Sequence, residues 1–235
     1  MQHRIIAIIP ARGSNDEVDH LNIKQLGGKP LLVYTIEAAL QSAHVQRVIV
    51  STEDRKIARI AQENGAEVPF LRPVELVGDR VGLADVAKHV LVALEKNENT
   101  VFDIVITLLP NCPFRTSKDI DSAVGMLIKG PYDSVMSVVE ERDFFWIEEK
   151  PRMVPLTHRH ALRRKDCVPI YREAGGLYVV WRANYAGSNH FGENIGYYII
   201  NQHNGRTINT LYDLFTSERL IRLPSELIEG LLNSE

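Results

Sequence analysis

The residues with chemistry to offer stand where apolar runs end. Ile5 to Ile9 is a continuous apolar run that stops at Pro10, and Pro10-Ala-Arg-Gly13 follows it. A backbone-rich turn at the carboxyl end of a strand, carrying an arginine, can hold phosphate through amide donors and a guanidinium. The same four residues can equally form a purely structural turn. Neither GxxxxGK[ST] nor GxGxxG is present, so the common nucleotide fingerprints are excluded. Ser51-Thr52, Arg72 and Leu109–Arg115 lie at the ends of further runs. The two cysteines, Cys112 and Cys167, make no CxxC pair, which excludes a zinc ribbon or thioredoxin motif and suits reduced thiols. The eight histidines show no HxxxH pair, and no Ser-His-Asp set can be nominated from spacing. His158-Arg-His160 with Arg163 forms a cationic stretch that suits a sugar carboxylate, or equally a solvated or dimer-buried arm.

The elements that must position these groups can be read from periodicity. Ile5–Ile9, Arg47–Ser51 and Asp103–Leu109 read as strands covered on both faces, with a shorter strand over Glu67–Leu71. Helical spacing appears over Leu31–Ser42, Glu53–Asn64 and Leu83–Lys96. Thr52 is the expected cap of the second helix, and Gly65 suits its left-handed end. Thr116 with Asp119 reads as a capping box for a helix ending at Gly130. Thr210 with Asp213 reads as another, opening a helix to Arg222, and a short last helix starts near Ser225. Ser134–Val139, Leu177–Trp181 and Gly196–Ile200 read as later strands. This alternation predicts a three-layer α/β, Rossmann-like domain with a mostly parallel sheet, ligands sitting beyond the strands' carboxyl ends. No repeat or linker divides the chain, so residues 1–235 are read as one domain with an inserted arm at 142–172.

Composition bounds the partners. The 235 residues carry 27 Lys+Arg against 30 Asp+Glu, a formal net charge of −3, with 45% hydrophobic residues. These are ordinary values for a globular protein and offer no basic excess for nucleic acid. No apolar run approaches membrane-spanning length, and the short N-terminal run is not a signal peptide, so the expected location is cytoplasmic with no membrane partner.

A series of motifs carries a family resemblance. Pro10-Ala-Arg-Gly13, Asn22-Ile-Lys24, Gly27-Gly-Lys-Pro-Leu31 and Val48-Ile-Val-Ser-Thr52 resemble the cytidylyltransferases that make CMP-activated sugar acids. Gly65 to Pro73, Pro113-Phe-Arg115, Tyr171-Arg172, Gly175 to Tyr178 and Ile208 to Leu214 continue it in order. The resemblance implies the nucleotidyltransferase fold just derived, and transfer of CMP from CTP to a sialic-acid-like nonulosonic acid with release of pyrophosphate. It implies Mg2+ as cofactor and a homodimer formed through the 142–172 arm. It places Arg12 and Lys24 at the phosphates as catalytic groups, with Ala11, Arg12, Gly13, Arg72 and Arg115 around the nucleotide. Arg172, Gly175 and Tyr178 fall to the sugar, and Asn209 to the metal.

The chain departs from that pattern at ligand-facing positions. The loop lysine is Asp16, within an acidic set Asp16, Glu17 and Asp19. The family's Gln is Leu109, the amide after Arg172 is missing, and the two metal aspartates are Thr207 and Asn209. Like charges about 4 Å apart cost about 1 kcal/mol in water and about 4 at an effective dielectric near 20. Hard dications are normally held by carboxylates. Three functions therefore stay open: an active enzyme making a CMP-linked sugar acid; a non-catalytic homologue that binds a ligand or a partner in sugar-acid or glycan biosynthesis; and a related enzyme using another nucleotide or sugar, with a metal site rebuilt on the acidic loop.

Overall fold

A computed structural model describes residues 3–13, 18–78, 80–156, 163–187 and 189–232. The central sheet begins with β1 (Ile5–Pro10), whose parallel neighbours are β4 (Arg47–Ser51) and β5 (Ile104–Leu108). Alternate residues of these continuous apolar runs feed opposite faces. Ile5, Ala7 and Ile9 pack with Leu32, Ile36, Ile57, Ile120 and Val124, whereas Ile6 and Ile8 pack with Val90, Leu91 and Leu94. The first set belongs to α1 (Leu31–Leu40), α2 (Arg55–Glu63) and α4 (Ser117–Lys129), the second to α3 (Leu83–Glu98). Helices therefore cover both faces of the sheet, as the apolar runs on β1, β4 and β5 require.

The second half adds β6 (Ser134–Glu141), β9 (Ile170–Trp181) and β10 (Ile195–Ile199), giving the order β10-β6-β9-β5-β1-β4. β9 runs antiparallel to β5 and β6, so the sheet is mixed, with its parallel pairs at β4-β1-β5 and β10-β6. The β6–β9 register shifts between Met136 and Val138. Gly175 (φ +72°) and Gly176 (φ +52°) lie at that irregularity, in backbone that side chains avoid. The short strands β2 (Gln25–Leu26) and β3 (Lys29–Pro30) form a hairpin on which α5 (Leu211–Leu220) docks, with Leu26, Leu31 and Ile208 packed against Leu214. The last helix is α6 (Ser225–Leu232).

Both capping boxes form: Thr116 Oγ1 accepts from the Asp119 amide, and Thr210 Oγ1 from that of Asp213. Gly65 takes φ +89° at the end of α2. Two expectations are corrected. Asp54, not Thr52, caps α2, accepting from the Lys56 and Ile57 amides; Thr52 Oγ1 instead accepts from the Asp54 amide. Glu67–Leu71 is no strand. Glu67 alone bridges to Ile49, and Pro69, with no amide hydrogen, cannot extend the ladder.

Within 142–172 the chain builds a hairpin of β7 (Trp146–Glu149) and β8 (Arg152–Pro155), exposed along most of its length. His158, Arg159 and His160 lie outside the described residues, as do Asp16 and Glu17.

Candidate functional site: two cavities that meet at Asn209

The carboxyl ends of β1, β4 and β5 open onto a cleft of about 580 Å³ lined by Pro10, Arg12, Asn22, Arg72, Leu109, Asn111 and Asn209, among others. The loop after β1 is tied down from several sides. The Ala11 amide donates to the Ser51 carbonyl (2.9 Å), and Ala11 is fully buried. Asn22 Nδ2 donates to the Arg12 carbonyl (2.9 Å), and the Gly13 amide donates to Glu53 Oε1 (2.7 Å). The other Glu53 oxygen is buried without a hydrogen-bond partner among the described residues.

Arg72 is 6% exposed, its Nε donating to Ser51 Oγ (3.1 Å) and its Nη2 to the Ser51 carbonyl. Burial pushes its pKa down, opposed by Glu53 and assisted by Arg12. A guanidinium keeps its charge through such a shift. The cleft therefore has a fixed cation beside Arg12.

Arg115 stands elsewhere. It is 2% exposed, and its guanidinium donates to the carbonyls of Gly175, Gly176 (3.0 Å) and Leu109 (3.4 Å) and to Thr35 Oγ1 (3.1 Å). With Nη1 and Nη2 turned to protein oxygens, and Nε buried without a hydrogen-bond partner among the described residues, it braces the β9 irregularity and does not line the cleft. Lys24 is exposed and lines neither cavity.

A second cavity of about 470 Å³ adjoins the cleft, with Glu141, Arg172, His203, Arg206, Asn209 and Asp213 on its polar side and Leu220, Leu223 and Ile228 on its apolar side. Arg172 holds Glu141 Oε1 through Nε (3.2 Å) and Nη2 (3.0 Å). Gly175 serves this cavity from behind, its amide donating to the carbonyl of cavity-lining Gly205 (3.1 Å). Tyr178 lines neither cavity; its hydroxyl donates to Glu173 (3.0 Å), and burial followed by that carboxylate raises its pKa.

Asn209 is the residue common to both cavities. Its Oδ1 accepts from Asn111 Nδ2 (2.9 Å), which also reaches the Ile208 carbonyl (3.1 Å). Asp213 Oδ2 accepts from the Asn209 and Thr210 amides and the Thr210 hydroxyl. Burial acts to raise the Asp213 pKa, but these donors and Arg206 outweigh it and hold the carboxyl below the ordinary aspartate value. Thr207 Oγ1 lies 3.6 Å from Cys112 Sγ.

Magnesium asks for carboxylate and water oxygens in near-octahedral array. Here the strand end offers neutral Thr207, an Asn209 oxygen already accepting, and a capping carboxylate. Among the described residues no group of three or more His, Cys, Asp or Glu side chains could hold a metal. This donor set does not fit a protein-held magnesium ion.

A model of the cytidylyltransferase family matches residues 6–231. The chain belongs to the cytidylyltransferase family. Among similar proteins, a CMP-N,N'-diacetyllegionaminic acid synthase of Legionella pneumophila is 41% identical over 123 residues, 52% of each chain. An N-acylneuraminate cytidylyltransferase of Escherichia coli is 32% identical over 203 residues, 81% of this chain and 45% of that protein. The match thus spans about half the length of these two relatives. A solved CMP:2-keto-3-deoxy-manno-octonic acid synthetase complexed with CTP shares the fold at a TM-score of 0.68 and 18% identity, covering 93% of this chain and 98% of that one. A 4-diphosphocytidyl-2C-methyl-D-erythritol synthase from Anaerococcus prevotii does so at 0.68 and 14%, covering 95% and 100%.

In this cytidylyltransferase-family chain the structure gathers Arg12, Arg72 and Asn209 at one cleft and Arg172 and Asn209 at its neighbour. Sequence reasoning gave no role to Asn111, Glu53, His203 or Arg206. For Asn111 a signal existed, since it directly follows the Pro110 that stops the strand. The others depend on tertiary contacts that spacing does not report.

Proposed function

We propose that this chain binds CTP in the cleft and a sialic-acid-like nonulosonic acid in the adjoining cavity, and transfers CMP from one to the other. The observation that carries this reading is the pair of cavities joined at Asn209, one bearing Arg12 and Arg72, the other Arg172, His203 and Arg206. In the reaction a sugar hydroxyl oxygen bonds to the α-phosphorus, the α–β anhydride bond breaks, pyrophosphate leaves and the hydroxyl proton passes to solvent. Such chemistry rests mainly on positioning and charge neutralisation. Arg12 and the Gly13 amide face the phosphates. Lys24 is assigned to the same anion by its place in the Asn22-Ile-Lys24 motif and would have to swing in from outside the cleft, and Arg72 fixes the nucleotide end. Arg172 faces the sugar, while Arg115, Gly175 and Tyr178 position the walls. The related synthases act on sugar acids of this class by name, which supports the assignment of the second substrate.

A second reading, a non-catalytic homologue retained for ligand or partner binding, is favoured by the neutral groups at Thr207 and Asn209. One experiment separates the two. Protein, magnesium, CTP and a panel of nonulosonic acids are mixed and pyrophosphate is followed. Turnover that Arg12→Ala abolishes establishes transfer. Binding of both ligands without turnover establishes the second reading.

The 142–172 segment is proposed as a homodimer arm, because Phe144, Trp146, Ile147, Met153 and Leu156 are 44–58% exposed on or beside the hairpin. A chain lacking 142–172 that still sediments as a dimer refutes it. Among the described residues no helix is long and apolar enough to cross a membrane; a cytoplasmic location is part of the proposal, because the proposed reaction consumes CTP.

A further inference from the structure

We propose that Arg206 is the carboxylate anchor of the second cavity and sets its preference for an acidic sugar bearing an apolar substituent; this rests on reading that cavity as the sugar-acid site. The charged side chains around it are already engaged. Arg172 is bonded to Glu141 through two nitrogens, and Asp213 Oδ2 accepts three hydrogen bonds. Arg206 differs: its Nε is buried with no hydrogen-bond partner among the described residues. That nitrogen is sealed from the cavity, but Arg206 is only partly buried and lines it, and an incoming carboxylate supplies the outer nitrogens with acceptors in the forked geometry that guanidinium favours.

The surroundings agree with that assignment. His203, packed at a 47° tilt against Phe114 with centroids 4.4 Å apart, has its pKa lowered by burial and then by Arg206, which favours its neutral form and leaves the anchoring charge to Arg206. Thr207 and Asn209 carry no charge, and the carboxylate that does feel Arg206, Asp213, is committed through Oδ2 to the Asn209 and Thr210 amides and the Thr210 hydroxyl. The same cavity carries Leu220, Leu223 and Ile228. Cation and apolar wall together select a ligand with a carboxylate at one end and an acyl or deoxy group at the other.

The test uses N-acetylneuraminic acid, N,N'-diacetyllegionaminic acid and their methyl esters, titrated calorimetrically into the full chain. Loss of one charge-assisted contact predicts that Arg206→Gln weakens binding of the acids by about 10- to 100-fold. The esters bind the variant as they bind the wild type, CTP affinity stays within about twofold, and Arg206→Lys recovers part of the loss. Unchanged acid affinity in Arg206→Gln, or an equal loss for the esters, overturns the assignment of Arg206 alone. A wild type that binds CTP but none of the acids overturns both Arg206 and the sugar-acid reading. A wild type that binds both substrates without releasing pyrophosphate overturns transfer and leaves Arg206 standing.

Discussion

Glu53 occupies the amide of Gly13: its Oε1 accepts that N–H at 2.7 Å while its other oxygen stays buried without a partner among the described residues. A carboxylate thus holds the donor assigned to a phosphate. Its charge also bears on Arg72. Nucleotide binding must displace or repel this carboxylate. Glu53→Gln should raise CTP affinity by about three- to tenfold, the scale of one partly screened charge contact. The gain should shrink from CTP to CMP and vanish for cytidine, as titration of the three ligands in EDTA will show. Equal effects on all three would mean a change of loop shape instead.

Arg115 predicts a stability effect with no ligand contact behind it. Arg115→Met strips hydrogen bonds from the Gly175, Gly176 and Leu109 carbonyls in the interior. The expected cost is about 3 kcal/mol or more. A urea midpoint within error of wild type would contradict the bracing role.

Gly176 predicts a steric effect. A methyl group there would sit 2.5 Å from Leu109 Cβ, at φ +52°. Gly176→Ala should lower stability by about 1–3 kcal/mol and reduce Tm accordingly. Gly28→Ala, equally left-handed but with open space around it, should pay only the backbone cost.

How much of this was legible beforehand differs by element. The capping boxes at Thr116 and Thr210, the C-terminal glycine at Gly65 and the apolar runs of β1, β4 and β5 were readable because each obeys a local rule. The strand assigned over Glu67–Leu71 failed on Pro69, which lets one bridge form and no second. The start of α2 was misplaced by two residues, from Thr52 to Asp54: both can cap, and the carboxylate took the two helix amides. At the site, Arg12 follows from its position just past β1, whereas Arg72 was read at the end of a strand that does not form and is held at the cleft by Ser51 instead. Arg115 looks the same in sequence, yet its burial against β9 is a long-range outcome. So is the pairing of Gly13 with Glu53, which joins loops 40 residues apart.

Alkaline pH should unfold the protein earlier than ordinary tyrosines would. Burial, followed by Asp119, pushes the Tyr198 pKa up to about 12, and burial pushes that of Tyr185 up to about 12. The unfolded chain releases these protons near pH 10. The folded state then binds more protons, so the stabilisation is intact below pH 10 and is lost as pH rises from about 10 to about 12. Tyr198→Phe should flatten part of this decline in denaturation midpoints measured at pH 9, 10 and 11. An unchanged slope would show that Tyr198 does not contribute.

Thr207→Asp combined with Asn209→Asp should create a magnesium response. With two carboxylates at the strand end, millimolar magnesium should raise the Tm of the double variant in the absence of nucleotide, as a ligand that binds only the folded state must. Wild type should show no such shift, and identical shifts would place the ion elsewhere.

Asn111 reaches across from the end of β5 to hold Asn209, which belongs to both cavities. If the two cavities take the two proposed substrates, a ligand that draws Asn209 toward one side should reshape the other through that amide pair. Equilibrium linkage then demands symmetry: whatever factor the nucleotide applies to sugar affinity, the sugar applies to the nucleotide.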